Sequence, residues 1–116
     1  MRFHASCVSY QTKGVLIIGS AGSGKSSLAL ALMAHGAQLV ADDQTIVELE
    51  DGWPTARSAP NIGDMIEARG VGILAAASVA RARVMLVIDM DQVEDQRLPE
   101  SRSFDILGKQ IPLLHV

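Results

Sequence analysis

The feature that most restricts this chain is Gly19-Ser20-Ala21-Gly22-Ser23-Gly24-Lys25-Ser26, which fits G-x-x-x-x-G-K-[ST], the pattern of a phosphate-cradling loop. Such a loop needs a strand before it and a helix after it, and both flanks qualify. Val15-Leu16-Ile17-Ile18 is short, apolar and β-branched, whereas Ser27 to Met33 is rich in Leu and Ala. Glycines let the backbone come close to phosphate oxygens, and the following helix turns the positive end of its dipole toward them. All eight residues are therefore candidate nucleotide-binding residues. Lys25 would reach the β- and γ-phosphates, and Ser26 would offer its hydroxyl to Mg²⁺, a cation that keeps much of its shell as phosphate oxygen and water.

Composition narrows the setting. A chain of 116 residues, 48% of them hydrophobic, can bury one core and is too short for two, so one domain is expected over residues 1–116. The net charge of −3 comes from 13 acidic and 10 basic residues, and the basic ones are scattered, which leaves no footprint for nucleic acid. No run approaches the roughly 20 apolar residues of a membrane-spanning helix, and the N-terminus is not laid out as a signal peptide. Cys7 is the one cysteine, so an internal disulfide is impossible and a reducing, cytoplasmic setting is expected. With Phe3, Tyr10, Trp53 and Phe104 as the whole aromatic set, aliphatic side chains must build the core.

Taken in order, residues 3–10 alternate, with Phe3, Ala5 and Cys7 on one face and His4, Ser6, Val8 and Tyr10 on the other, the period of a half-buried strand. Gln11-Thr12-Lys13-Gly14 then reads as a turn into the strand before the loop, making the first two strands an antiparallel hairpin. The helix after the loop should end at Gly36, about ten residues on, buried between the sheet and another layer. Ala37 to Asp43 reads as a short strand ending in two carboxylates. Because ligands in α/β folds bind beyond the carboxyl ends of parallel strands, Asp42 and Asp43 would stand beside the phosphates if this strand lies next to the loop strand. One carboxylate would then hold Mg²⁺ and the other accept a proton. Asp51-Gly52 signals a hairpin, and Ala75 to Arg83 a short helix or turn. Arg83 to Asp89 has the continuous apolar run of a buried central strand, and Asp89 at its end competes for the metal-supporting position. Two short apolar pieces around Gly108 and Pro112 close the chain as edge strands.

These residues together resemble the C-terminal catalytic domain of the HPr kinase/phosphorylase family, bifunctional enzymes acting on a serine of the phosphocarrier protein HPr. The resemblance rests on His4 fifteen residues before Gly19, Gly14-Val15-Leu16-Ile17 entering the loop, His35-Gly36 closing the helix, and Leu39-Val40-Ala41-Asp42-Asp43. It also rests on Ile66-Glu67-Ala68-Arg69-Gly70-Val71-Gly72-Ile73, which is similar to the family's E-I-R-G-x-G-I signature. It implies an α/β fold of the phosphoenolpyruvate-carboxykinase type, a P-loop kinase-like domain with a mixed central sheet and flanking helices. By the same resemblance Lys25 binds phosphate, Ser26 and Glu67 hold Mg²⁺, and Asp43, with Asp42 beside it, is the base that takes the proton of the target serine. His4 supports that carboxylate.

The activity so implied is ATP- and Mg²⁺-dependent serine phosphorylation, with phosphorylase activity in the reverse direction, on an HPr-like phosphocarrier protein of a bacterial phosphotransferase system. A homo-oligomeric state is implied as well. The chain departs from the family in having Ser20-Ala21 where Asp-Ser is frequent and Ser27 where Glu is frequent. Family members usually add an N-terminal domain and continue beyond the equivalent of Val116, so a short form lacking both parts is expected. Two other functions share the phosphate loop. One is a small-molecule P-loop kinase, disfavoured by the scarcity of basic residues after the loop. The other is a nucleotide-sensing module without catalysis.

Overall fold

The computed structural model describes residues 1–59, 65–68, 72–75, 78–95, 97 and 101–116, with 65–68 and 72–75 described through their backbone. β1 (Arg2–Phe3) and β2 (Ala5–Tyr10) are separated at His4, so the expected first strand is two. β2 reverses into β3 (Lys13–Ile18) through Gln11-Thr12, whose φ values of +51° and +67° match the primed turns that suit the twist of a hairpin. The turn is thus shorter than the sequence suggests, and Gly14 belongs to the strand. A Cβ on Gly14 would stand 2.5 Å from the carbonyl oxygen of Arg83, so glycine is there to let a neighbouring strand approach.

The loop after β3 leads into α1 (Lys25–Ala34). The helix ends as its sequence predicts, in a Schellman motif: Gly36 N–H donates to Met33 O at 3.1 Å and Ala37 N–H to Leu32 O at 3.1 Å. Then follow β4 (Gln38–Ala41), β5 (Thr45–Glu50) and β6 (Trp53–Ser58), the last two joined by the expected Asp51-Gly52 turn. β7 (Met65–Ala68) and β8 (Gly72–Ala75) form a separate hairpin, and β7 approaches α1. β9 (Arg81–Asp89) starts two residues before the expected strand and within the segment read as helix or turn. β10 (Arg102–Ile106) and β11 (Lys109–His115) complete the chain.

The main sheet runs β1-β5-β6-β9-β3-β2-β4. β9 is central, as its apolar run predicts: β3 lies parallel along one edge, while β6 and β11 share the other. β2 is antiparallel to both β3 and β4. The arrangement is a mixed α/β sheet in which β3, β4 and β9 point the same way. Their carboxyl ends, carrying Gly19, Asp42 and Asp89, therefore gather at one end of the sheet. β4 is not the neighbour of β3, because β2 runs between them.

Apolar side chains are buried on both faces. Val8, Ile17 and Leu39 pack with Ala29 of α1, and Cys7, Leu16, Val47, Val84 and Ile111 form a second cluster where the sheet curls over itself. β2 is consequently buried from Ala5 to Ser9 rather than on alternate residues. Where several flanking helices are expected, the described residues contain the single α1. Its Leu28, Leu30, Leu32 and Met33 are half-buried and pack with the sheet cluster. Ser27, Ala31 and Ala34 are exposed, so among the described residues no second layer encloses that face of the helix.

Candidate active site

The loop from Gly19 to Ser26 takes its shape from its glycines and from the chain after β9. Gly19 has a φ of +152°, and a Cβ there would come within 2.6 Å of Ser23 Oγ and 2.9 Å of Met90 Cβ. Gly24 opens α1 in the left-handed conformation, with a φ of 100° and no side-chain cap. The first N–H groups of the helix therefore remain available to an anion. Lys25 is only 7% exposed, and its ammonium donates to Gly19 O at 2.8 Å and Ser20 O at 2.9 Å. An ammonium has three donors, so one is left for a ligand. Ser23 Oγ is buried without a hydrogen-bond partner, packed toward Gly19 rather than facing the cavity.

The acidic couple lies across the crevice. Asp42, 7% exposed at the end of β4, accepts the Ser26 hydroxyl at 2.9 Å and the Ser6 hydroxyl at 2.7 Å, both on Oδ1. Two donors on one oxygen fix the plane of the carboxylate, and Ser26 keeps its lone pairs for a cation. His4 Nε2 stands 2.9 Å from Asp43 Oδ1, and both side chains are well exposed. Asp43 itself has a φ of +67°, with Gln44 N–H donating to Asp42 O across it at 2.7 Å. That is a γ-turn of the rare hand, a strained geometry that projects the Asp43 carboxylate into the crevice. The crevice holds about 480 Å³ and is lined by His4, Ser6, Lys25, Ser26, Asp42 and Asp43 together with Ala21, Gly22, Gly24, Ser27 and Leu30.

The structure thus brings the loop, Asp42, Asp43 and His4 to one cavity even though β2 separates the two strands. Residue 4, just before β2, lies at the same end of the sheet as the carboxyl ends of its neighbours. Asp89 lies apart from this group: its Oδ1 accepts Asp91 N–H at 2.9 Å, and it is not among the residues lining the cavity. Asp42 is the carboxylate at Ser26. The Glu67 backbone lies in β7 opposite Ile73, and its side chain lies outside the described residues, as do Arg69 to Val71 of the same motif. Among the described residues no cluster of three His, Cys, Asp or Glu side chains forms a metal site. The oxygen donors Asp42 and Ser26 suit Mg²⁺, which takes few protein ligands and fills its shell with water and phosphate. Two contributors were missed in the sequence: Ser6, detectable as a polar residue on the His4 face of an apolar strand, and Asp91, which binds Ser20.

The HPr Serine kinase C-terminal domain model matches residues 1–116. The chain belongs to this family. Among relatives of the HPr serine kinase C-terminal domain family, the HPr kinase/phosphorylase of Brevibacillus brevis is 34% identical over 89% of this chain and 37% of its own length. HPr kinase/phosphorylase 1 of Oceanobacillus iheyensis is 36% identical over 97% of this chain and 37% of its own length. The chain spans less than half the length of these curated relatives. A solved structure of the Hpr(Ser) kinase/phosphatase from Coxiella burnetii superposes with a TM-score of 0.84 at 29% identity, covering 99% of this chain and 78% of that one. The mixed sheet of this family member is therefore shared with a solved relative.

Proposed function

We propose that this domain transfers the γ-phosphoryl group of ATP to a serine of an HPr-like phosphocarrier protein, in a P-loop kinase-like fold of the phosphoenolpyruvate-carboxykinase type. The observation that carries the reading is the single cavity onto which both the Lys25 loop and the Asp42-Asp43 couple open. The names of the relatives point to HPr as the partner class.

The helix N–H groups and Lys25 bind and orient the polyphosphate, and Asp42 and Ser26, with Glu67 by family resemblance, would hold Mg²⁺. Bound there, the cation would neutralise charge on the phosphate oxygens. Asp43 takes the proton as the serine oxygen forms its bond to the γ-phosphorus and the bond to the bridging oxygen of ADP breaks. His4, on Asp43 Oδ1, orients that carboxylate and helps carry the proton charge. In the phosphorylase direction Asp43 returns the proton. Positioning and charge stabilisation supply most of the acceleration in such a reaction. A cytoplasmic, homo-oligomeric enzyme accords with this role, and no described helix is long and apolar enough to cross a membrane.

Incubation with labelled ATP and candidate HPr proteins, read as phosphoserine, tests the proposal. Transfer by the natural sequence with loss in Lys25→Ala is the expected result. Tight ATP binding without transfer to any HPr homologue would select the nucleotide-sensing alternative, and a small-molecule acceptor would select the other.

A further inference from the structure

Asp91 grips the entry arm of the phosphate loop. Its Oδ2 accepts Ser20 N–H at 2.8 Å and its Oδ1 accepts the Ser20 hydroxyl at 2.8 Å. The carboxylate is itself tied down, because Asp91 N–H donates to Asp89 Oδ1 at 2.9 Å and Met90 N–H donates to Ile18 O at 2.8 Å. The next residue joins this strap to the end of β11, with Val116 N–H donating to Gln92 O at 2.9 Å. Ser20 passes the constraint on: its carbonyl accepts Lys25 Nζ at 2.9 Å and Ser23 N–H at 3.1 Å. Neither Asp91 nor Ser20 lines the cavity, so Asp91 can act on a ligand only through the loop.

We propose that Asp91 is a positioning residue for nucleotide binding, holding Ser20 so that Lys25 and the Ser23 turn are in place before a polyphosphate arrives. The inference rests on the reading of the loop given under Proposed function. A side chain that bonds both the N–H and the hydroxyl of one residue holds that residue at two points and so fixes its orientation. A loop ordered in advance spares the ligand the entropy of ordering it. Because both Asp91 oxygens are engaged by Ser20, the carboxylate is directed at the loop backbone rather than at the phosphates.

Two measurements on the whole chain test this, using Asp91→Ala and Asp91→Asn. The first is hydrogen exchange of the loop amides without ligand. Exchange at Ser20 and Ser23 should quicken about tenfold in Asp91→Ala. It should stay close to the natural rate in Asp91→Asn, whose amide can still accept Ser20 N–H. The second is calorimetric titration with ADP and Mg²⁺. The dissociation constant should rise about tenfold in Asp91→Ala and be largely restored in Asp91→Asn, with the melting temperature of both variants near that of the natural protein. In turnover the change should fall on KM for ATP and not on kcat. Natural loop exchange or natural ADP affinity in Asp91→Ala would overturn the inference. If the natural sequence itself fails to bind ADP, the proposed function is contradicted, while the ligand-free exchange still decides whether Asp91 orders the loop.

Discussion

Asp43 occupies a backbone conformation that aspartate tolerates and a β-branched residue does not, with φ at +67° inside a γ-turn. That strain separates its structural role from its chemical one. Asp43→Asn should leave stability within about 0.5 kcal/mol, since the side chain is exposed and asparagine accepts positive φ, yet it should lower phosphate transfer by about 100-fold or more as the proposed base is lost. Asp43→Val should instead cost about 2 kcal/mol of stability, measured by urea denaturation, because Val is forced into the left-handed region. Cys7 makes the opposite case of a residue whose chemistry is suppressed. It is fully buried, and burial pushes its thiol from 9.0 up to about 12. The unfolded thiol ionises first, so the contribution of Cys7 to stability is complete below pH 9.0 and declines as the pH rises toward 12. Labelling by a thiol reagent at about pH 8, below the ordinary thiol range, should proceed only at the rate of unfolding, and Cys7→Ala should show a shallower loss of stability on the alkaline side.

Elements whose causes are local were legible in the sequence. The strand-loop-helix around Gly19 to Ser26, the end of α1 at Gly36 and the Asp51-Gly52 hairpin are each written in a few consecutive residues, and each stands where expected. Elements with distant causes were not. Gly14 looks like a turn residue until the Arg83 carbonyl is placed against it, and Ser6 looks like an open polar-face residue until α1 and Asp42 cover that face of β2. Gly14→Ala tests the first point, since the added Cβ must push β3 and β9 apart. A loss of about 2 kcal/mol or more in urea denaturation is expected, with a natural value arguing against close strand approach. The same logic explains the candidate site. Asp42 and Asp43 drew attention in the sequence as carboxylates at a strand end, and family resemblance singled out Asp43 and His4, whereas Asp91 bonds to the loop from 71 residues away and carries no motif.

At the scale of the molecule, the decisive property is strand direction. β3, β4 and β9 run parallel to one another within a mixed sheet, so residues far apart in sequence meet beyond their carboxyl ends even with β2 in between. β2 itself contributes through its opposite end, which sets His4 against Asp43. One cavity therefore receives the glycine-rich loop, an acidic couple and an imidazole. A side-by-side assay of ADP binding and phosphoserine formation on HPr in Lys25→Ala and Asp43→Asn tests that division of labour most directly. The account predicts that Lys25→Ala loses both and that Asp43→Asn binds ADP normally while forming phosphoserine about 100-fold more slowly or worse. Full transfer by Asp43→Asn would contradict it.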